Sequence, residues 1–394
     1  MVGPLPCAHP GGMPATATLE RVLNAVETTS RAGLPLEDFL VEAAAALMPA
    51  VPSVAACLST LDPATSLLSG VRKVGDLTGR NDSDLAWAQT EYGREDPTAN
   101  IALVSTGTVA AGVIDLLGEA ERSVRMREFI IPHFGFADEA RVVFTDRSGA
   151  WGSISMFRGD DDVPFSHDEV EALAAVAPAF TRGIRNGLLA VNGRRALPSG
   201  DGPAVLVFDA HDRLVQSSMG AEAHIARLAS ARAHADPLTM AQILVTGARR
   251  VARGEADSIP RVRARTVDGS FLVMQAVLMG GMTDRAGDVV VTIEEARPRD
   301  VVDLMMGAFG LTAREREIVT VLLRGADTKE IAQGLHLSPY TVQDHLKSIF
   351  EKSGVTSRRE LIARVYFDHY APRIGQEIDP HGWFADPAAQ GQKA

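Results

Sequence analysis

Three side chains near the C-terminus combine hydrogen-bonding capacities that can discriminate one polar edge from another. In the stretch LSPYTVQDHLKSIFEKSG, residues 337–354, Gln343 both donates and accepts, Asp344 only accepts and Lys347 only donates. On a helical wheel of about 100° per residue, Val342, Leu346, Ile349 and Phe350 cluster on one side, and Asp344, Lys347 and Glu351 lie opposite. Gln343 and Ser348 flank the polar face, and Thr341, His345 and Lys352 run along one edge. Such a face suits the major groove of double-stranded DNA, where a carboxylate accepts from cytosine N4 and is repelled elsewhere. Asp344 is the unusual member, because phosphates repel it.

Such a face works only if small helices hold it out, and residues 311–370 encode them. LTAREREIVTVLLRG sets Thr312 and Glu315 three apart, a capping box, and puts Gly325 where a helix stops. Ile318, Val319 and Leu322 form its inner stripe. ADTKEIAQGLHL repeats the box with Asp327 and Glu330 and turns Ile331, Ala332 and Leu335 inward. After a tight turn, Ser338 caps a third helix with Pro339 at its first position, where the missing N–H costs nothing. Gly354 ends it. Ser357 and Glu360 open a fourth helix, which buries Leu361, Ile362 and Val365. Four short capped helices, two of them joined by a tight turn, predict an all-α helix-turn-helix. The third helix then enters the groove, N-terminal half toward the bases. Lys329, Thr341, His345, Lys352, Arg358 and Arg359 are candidates for contacts to the DNA backbone.

Residues 311–363 resemble the LuxR/NarL-type DNA-binding domain of bacterial transcription regulators. The resemblance lies in the LTxREREI opening, the KEIA helix, the SxxTVxxHLxxIxxK helix and the GVxSRxE ending. It implies that Gln343, Asp344 and Lys347 read bases, the same face that the wheel selects. The family's usual basic residue is absent at 343, which puts its common base preference in doubt here. The resemblance also implies that the fourth helix, here 357–369, pairs two subunits into a homodimer on two half-sites. RNA polymerase is a further candidate partner.

The remaining residues differ in charge. Residues 311–370 hold 9 Lys+Arg and 8 Asp+Glu, a net of +1, within a 394-residue chain of net charge −11, so the remainder carries −12. A near-neutral module suited to a polyanion thus sits beside an acidic body. Two cysteines, Cys7 and Cys57, exclude a disulfide scaffold. No apolar run is long enough to span a membrane, and MVGPLPCAHPGGMP lacks the basic region and apolar core of a secretory signal, so a cytoplasmic protein is expected.

The chain is expected to be multidomain. Residues 1–16, rich in Pro, Gly and Ala, are read as a disordered start. Residues 17–191 give two helices, strand-like pieces including a hairpin at Arg147–Ser148–Gly149, and a closing helix capped by Ser166 and Glu169. This layout resembles an α+β GAF domain. NGRRALPSGDGP supplies a linker at 192–202. Residues 203–297 read as two strands, short helices and three strands, the order of an α+β PAS domain, which they resemble. Residues 298–310 are read as a bridging linker, with a helix as the alternative, and 371–394 as a flexible tail.

An acidic, sensor-like body invites a search for an effector site. Trp87, Tyr92 and Asp96, in WAQTEYGREDPTAN, resemble the Trp/Tyr/Asp-Pro cluster of acyl-homoserine-lactone sensors, although the spacing is compressed. They are the candidate small-molecule contacts, against the plainer reading of core aromatics and a turn. Asp160–Asp162 with His167 and Asp168 show no known metal-ligand spacing and read as a solvated loop. His211, His224 and His234 suggest no haem, and no cofactor, metal or catalytic set is expected. A G-x-x-x-x-G-K-[ST] loop is absent, and with Lys73 the single lysine of the first block, so are the residues of a phosphoacceptor receiver. Two rivals to a regulator remain. A sigma-like subunit would need a polymerase-binding region of basic and aromatic residues, and an enzyme would need a nucleophile–base or metal set; neither pattern is found.

Overall fold

The computed structural model describes residues 16–190, 202–228, 236, 238–267, 269–280 and 287–366. The start expected to be disordered, the 192–202 linker and the tail fall almost wholly outside them.

The first half opens with α1 (Thr16–Arg31) and α2 (Leu36–Leu47), then β1 (Ala55–Leu61) and β2 (Leu68–Gly75). Next come α3 (Asp84–Gly93), α4 (Asn100–Thr106), β3 (Ala110–Gly112), α5 (Val113–Leu117), a π turn at Met126–Ile130 and α6 (Ile131–Phe134). The hairpin β4 (Asp138–Asp146) and β5 (Gly149–Arg158) leads into α7 (His167–Leu189). The capping box forms as the spacing predicts: Glu169 N–H donates to Ser166 Oγ at 3.3 Å, and Ser166 N–H to Glu169 Oε2 at 2.9 Å. The hairpin needs Gly149, whose φ is +122° and where a Cβ would lie 1.9 Å from the Pro63 carbonyl.

The strands form an antiparallel sheet in the order β2-β1-β5-β4-β3. Side chains alternate along each strand. Ala56 and Leu58, Val142 and Phe144, and Ile154 and Met156 meet α1, α2 and α7 in one apolar core. The intervening residues face the other way, toward the π turn and α3.

The second half runs β6 (Ala204–Phe208), β7 (Leu214–Ser217), α8 (Ala221–Leu228), α9 (Thr239–Ala252), β8 (Arg261–Arg265), β9 (Phe271–Leu278) and β10 (Val289–Glu295). Its sheet has the order β7-β6-β10-β9-β8, so the two halves wind their strands identically. Their cores also interpenetrate. Leu61, Leu68 and Tyr92 pack with Leu206, Leu244 and Met274 of the second half, while Phe271 and Val273 join the core of the first. A buried ion pair crosses the same junction: Asp62 Oδ2 accepts from Arg263 N at 2.9 Å and Nε at 2.8 Å.

The segment 298–310, expected as a linker, is α10 (Pro298–Ala308), a structural part of two cores. Val301, Leu304 and Ala308 join the core of the first half, and Met305, Met306 and Phe309 join that of the C-terminal helices. Apolar residues at both i, i+3, i+7 and i+4, i+5, i+8 from Val301 give the helix two sticky stripes, and a helix apolar on two sides is buried on both. Four short helices complete the fold: α11 (Ala313–Leu323), α12 (Thr328–Gly334), α13 (Pro339–Ser353) and α14 (Arg358–Tyr366). Among the described residues no helix is long and apolar enough to cross a membrane.

Candidate nucleic-acid interface

Helix α13 starts where Ser338 Oγ accepts from Thr341 N–H at 3.0 Å, and ends at Gly354, whose φ is +64°. Val342 and Ile349 are fully buried beneath it. Gln343, Asp344 and Lys347 are exposed together on its outer side, and no side-chain bond to them is found among the described residues. The turn before α13 passes through the left-handed region at His336, with a φ of +54°. That kink sets the angle between α12 and the polar helix.

The other candidates are distributed unevenly. Lys329 and Arg359 are exposed, and Thr341 and His345 are half-buried at the edge of the face. Arg358 is turned inward, donating to the Ala326 carbonyl at the end of the α11 region. Lys352 departs most from expectation: its Nζ lies 2.7 Å from each carboxylate oxygen of Glu315, so two of its three donors are committed within the protein. Its charge anchors α13 to α11, because the Glu315 carboxylate is almost fully buried and demands a cation. Sequence reasoning passed over Tyr340, which stands 73% exposed on the first turn of α13. Its place one residue after the N1 proline was the available signal.

Glu315 makes this packing pH-dependent. Burial opposes its charge, but bonds from Lys352, the Thr312 N–H and Ser348 outweigh that and hold its pKa at about 2, below the ordinary 4.5. A depressed folded-state pKa stabilises the domain above pH 4.5, and the contribution is lost as pH falls toward 2. The amount is on the order of 2–3 kcal/mol. Amide protection in α11 and α13, corrected for intrinsic exchange, is expected to fall across that window. Glu315→Gln should flatten the dependence; an unchanged slope in the variant would remove Glu315 as its source.

The effector candidates separate. Trp87 lines a cavity in the first half, and Tyr92 and Asp96 lie outside its lining. Tyr92 meets Trp87 edge-on at 5.9 Å, and its hydroxyl accepts from Leu68 N–H at 3.1 Å. Asp96 accepts from Thr98 N–H and Oγ1, Ser123 Oγ and Arg125 N–H at 2.7–3.0 Å. Burial works against its charge, but the Arg125 guanidinium and these bonds hold its pKa at about 2. Both residues are engaged in holding the fold. Among the described residues no cluster of His, Cys, Asp or Glu could hold a metal ion.

Residues 310–365 match GerE, the luxR family of bacterial regulatory proteins. The chain is 48% identical over 56 residues to the monoamine regulon transcriptional regulator of Klebsiella aerogenes, covering 14% of this chain and 25% of that protein. It is 36% identical over 98 residues to the putative HTH-type transcriptional regulator YhjB of Escherichia coli K12, covering 25% and 44%. The chain therefore spans less than half the length of either relative. Among solved structures, a phage VqmA–DPO complex aligns with 44% of this chain and 85% of its own at 17% identity, with a TM-score of 0.23, too low to establish shared architecture. Residues 310–365 are a helix-turn-helix domain of the LuxR family of bacterial regulatory proteins.

Proposed function

We propose that this chain is a sequence-specific DNA-binding transcriptional regulator whose two-sheet region before α10, GAF-like then PAS-like, senses a small molecule or a protein. The observation that carries the reading is the polar face of α13. Gln343, Asp344 and Lys347 stand exposed and uncommitted on a helix whose opposite side is buried, within the LuxR-family match. The regulator acts in the cytoplasm as a homodimer. Helix α14 packs one side near α10, where the Arg364 guanidinium lies 5.8 Å from the Phe309 ring. The side carrying Glu360 is open and serves as the pairing surface. Sensing then shifts the population between DNA-competent and incompetent dimers, which requires an effector that binds the two unequally.

Selection of random-sequence DNA by the full chain at moderate salt tests this. An enriched palindromic motif is expected, and failure to enrich any motif would refute the reading. Asp344→Ala should relax discrimination at one position by about 1–3 kcal/mol, while Lys347→Ala weakens binding to the selected site by a similar amount. Uniform weakening on all sequences by Asp344→Ala would show that the carboxylate does not discriminate bases.

A further inference from the structure

The face of the first sheet turned away from α7 is buried yet polar. It carries Ser59, Glu139, Arg141, Ser153 and Ser155, all nearly inaccessible. A dry polar surface must be satisfied by partners, and much of this one satisfies itself. Arg141 donates to Glu91 Oε1 at 2.7 Å, Glu139 Oε1 at 3.0 Å and Ser155 Oγ at 2.9 Å. Arg125 pairs with Glu91 Oε2 at 2.7 Å and with Glu139. Lys73 pairs with Asp84 and donates to the Arg80 carbonyl at 2.7 Å and to Asn81 Oδ1 at 3.1 Å. Each of these cations is matched by a carboxylate.

Between this face and the segments above it lies a cavity that opens to solvent at its mouth. One wall is apolar, built from Trp87, Leu77, Phe129, Ile130, Phe134 and Phe157. Phe129 and Ile130 belong to the π turn, a local irregularity frequent where helices line functional sites. The other wall is polar: Lys73, Arg125, Arg141 and Asn100. Asn100 is 2% exposed, and its Oδ1 has no hydrogen-bond partner among the described residues. The wall is completed from the second half by Thr239, whose hydroxyl donates to Asp84 Oδ2 at 2.9 Å.

We propose that this cavity binds a small neutral molecule bearing an amide or lactam on an aromatic ring, with the amide on Asn100 and the ring against Trp87 and Phe129. An Asn side chain offers one acceptor and two donors, and an amide returns the complementary set. The balanced cations give an anion nothing unpaired to bind, and the buried carboxylates are likewise closed to a cation. Cys57, also in the lining, is held neutral, since burial pushes its thiol up to about 11. A ligand here touches the Lys73–Asp84–Thr239 chain that joins the two halves, so occupancy stiffens their junction. That last consequence rests on the regulator reading above; binding itself does not.

Calorimetry on the full chain with benzamide, benzoate and benzylamine tests the site without DNA, so it stands apart from the DNA-binding reading. Benzamide is expected to bind with a dissociation constant on the order of 1 mM, and the two charged analogues at least about tenfold more weakly. Asn100→Leu should weaken benzamide binding at least about tenfold while keeping or raising the melting temperature, because it removes an unsatisfied buried atom. Val71→Phe, which fills the cavity from its β2 side, should abolish binding with the fold intact. No heat from benzamide at its solubility limit would overturn the proposal. So would charged probes binding as tightly as benzamide, or an unchanged affinity in Asn100→Leu.

Discussion

Arg125→Ala is expected to destabilise the first half of the chain by about 3–5 kcal/mol, read as a shift in the urea midpoint of the far-UV circular dichroism. Arg125 and Arg141 alternate with Glu91 and Glu139 in a closed square, each carboxylate touching both guanidinium groups. All four side chains are at most 3% exposed. Burial works against the Glu91 charge, yet Arg141 and Arg125 hold its pKa below the ordinary value. Removing one corner leaves two carboxylates facing a single cation in a dry environment, where an uncompensated charge is costly. Arg125 also donates to Thr98 Oγ1 at 3.0 Å, which a lysine could not do while bridging both carboxylates, so Arg125→Lys should recover only part of the loss. Replacing all four residues with well-packed apolar ones should be far milder, because the desolvation penalty disappears with the charges. A loss under about 1 kcal/mol for Arg125→Ala would place the square with hydrated surface pairs and contradict its burial.

Asp62→Ala should cost a comparable 3–5 kcal/mol and act on the junction between the halves. The Asp62 carboxylate is 3% exposed and accepts from Arg263 N, Nε and Nη2, and from Ala64 N–H at 3.0 Å. Without it, Arg263 keeps, among the described residues, a 3.2 Å bond from Nη1 to the Asp300 carbonyl, too little for a buried guanidinium. Limited proteolysis should then cut the second half faster while α7 stays protected. A double-mutant cycle with Arg263→Ala is expected to return a coupling above about 1 kcal/mol. Zero coupling would mean that the apolar contacts of Leu61, Leu68 and Tyr92 hold the junction alone.

Much of the C-terminal domain was legible because its signals are local. Thr312 with Glu315 and Asp327 with Glu330 form their capping boxes within three residues, and Gly354 adopts the left-handed conformation that its place after α13 predicts. The fourth helix shows the limit of such spacing. Glu360 N–H does donate to Ser357 Oγ at 3.2 Å, but the Glu360 carboxylate reaches back to Thr356 N–H at 2.7 Å, one residue before the expected cap. The exposure of Gln343, Asp344 and Lys347 followed from period alone. The Lys352–Glu315 pair is invisible to spacing because its partners lie 37 residues apart, and Glu315 also serves as a capping residue. In the first half, the helices of residues 64–136 are short, and what orders them is an apolar cluster around Met126, Phe129 and Phe136 together with the charge square. Its partners Glu91 and Arg141 are 50 residues apart, a distance at which no pattern of spacing can pair them. The junction was hidden for the same reason, with Asp62 and Arg263 separated by 201 residues.

Helix α10 bears on how this protein could be taken apart. A DNA-binding fragment excised at residue 311, where the sequence motif begins, would lack Met305, Met306 and Phe309 and bare the apolar residues they cover. Starting at Pro298 restores that filling but bares Val301, Leu304 and Ala308, which belong against the first half. Neither cut yields a clean edge, and grafting these four helices onto a foreign sensor would need a new apolar cradle for α10. Where the motif begins is not where the molecule divides.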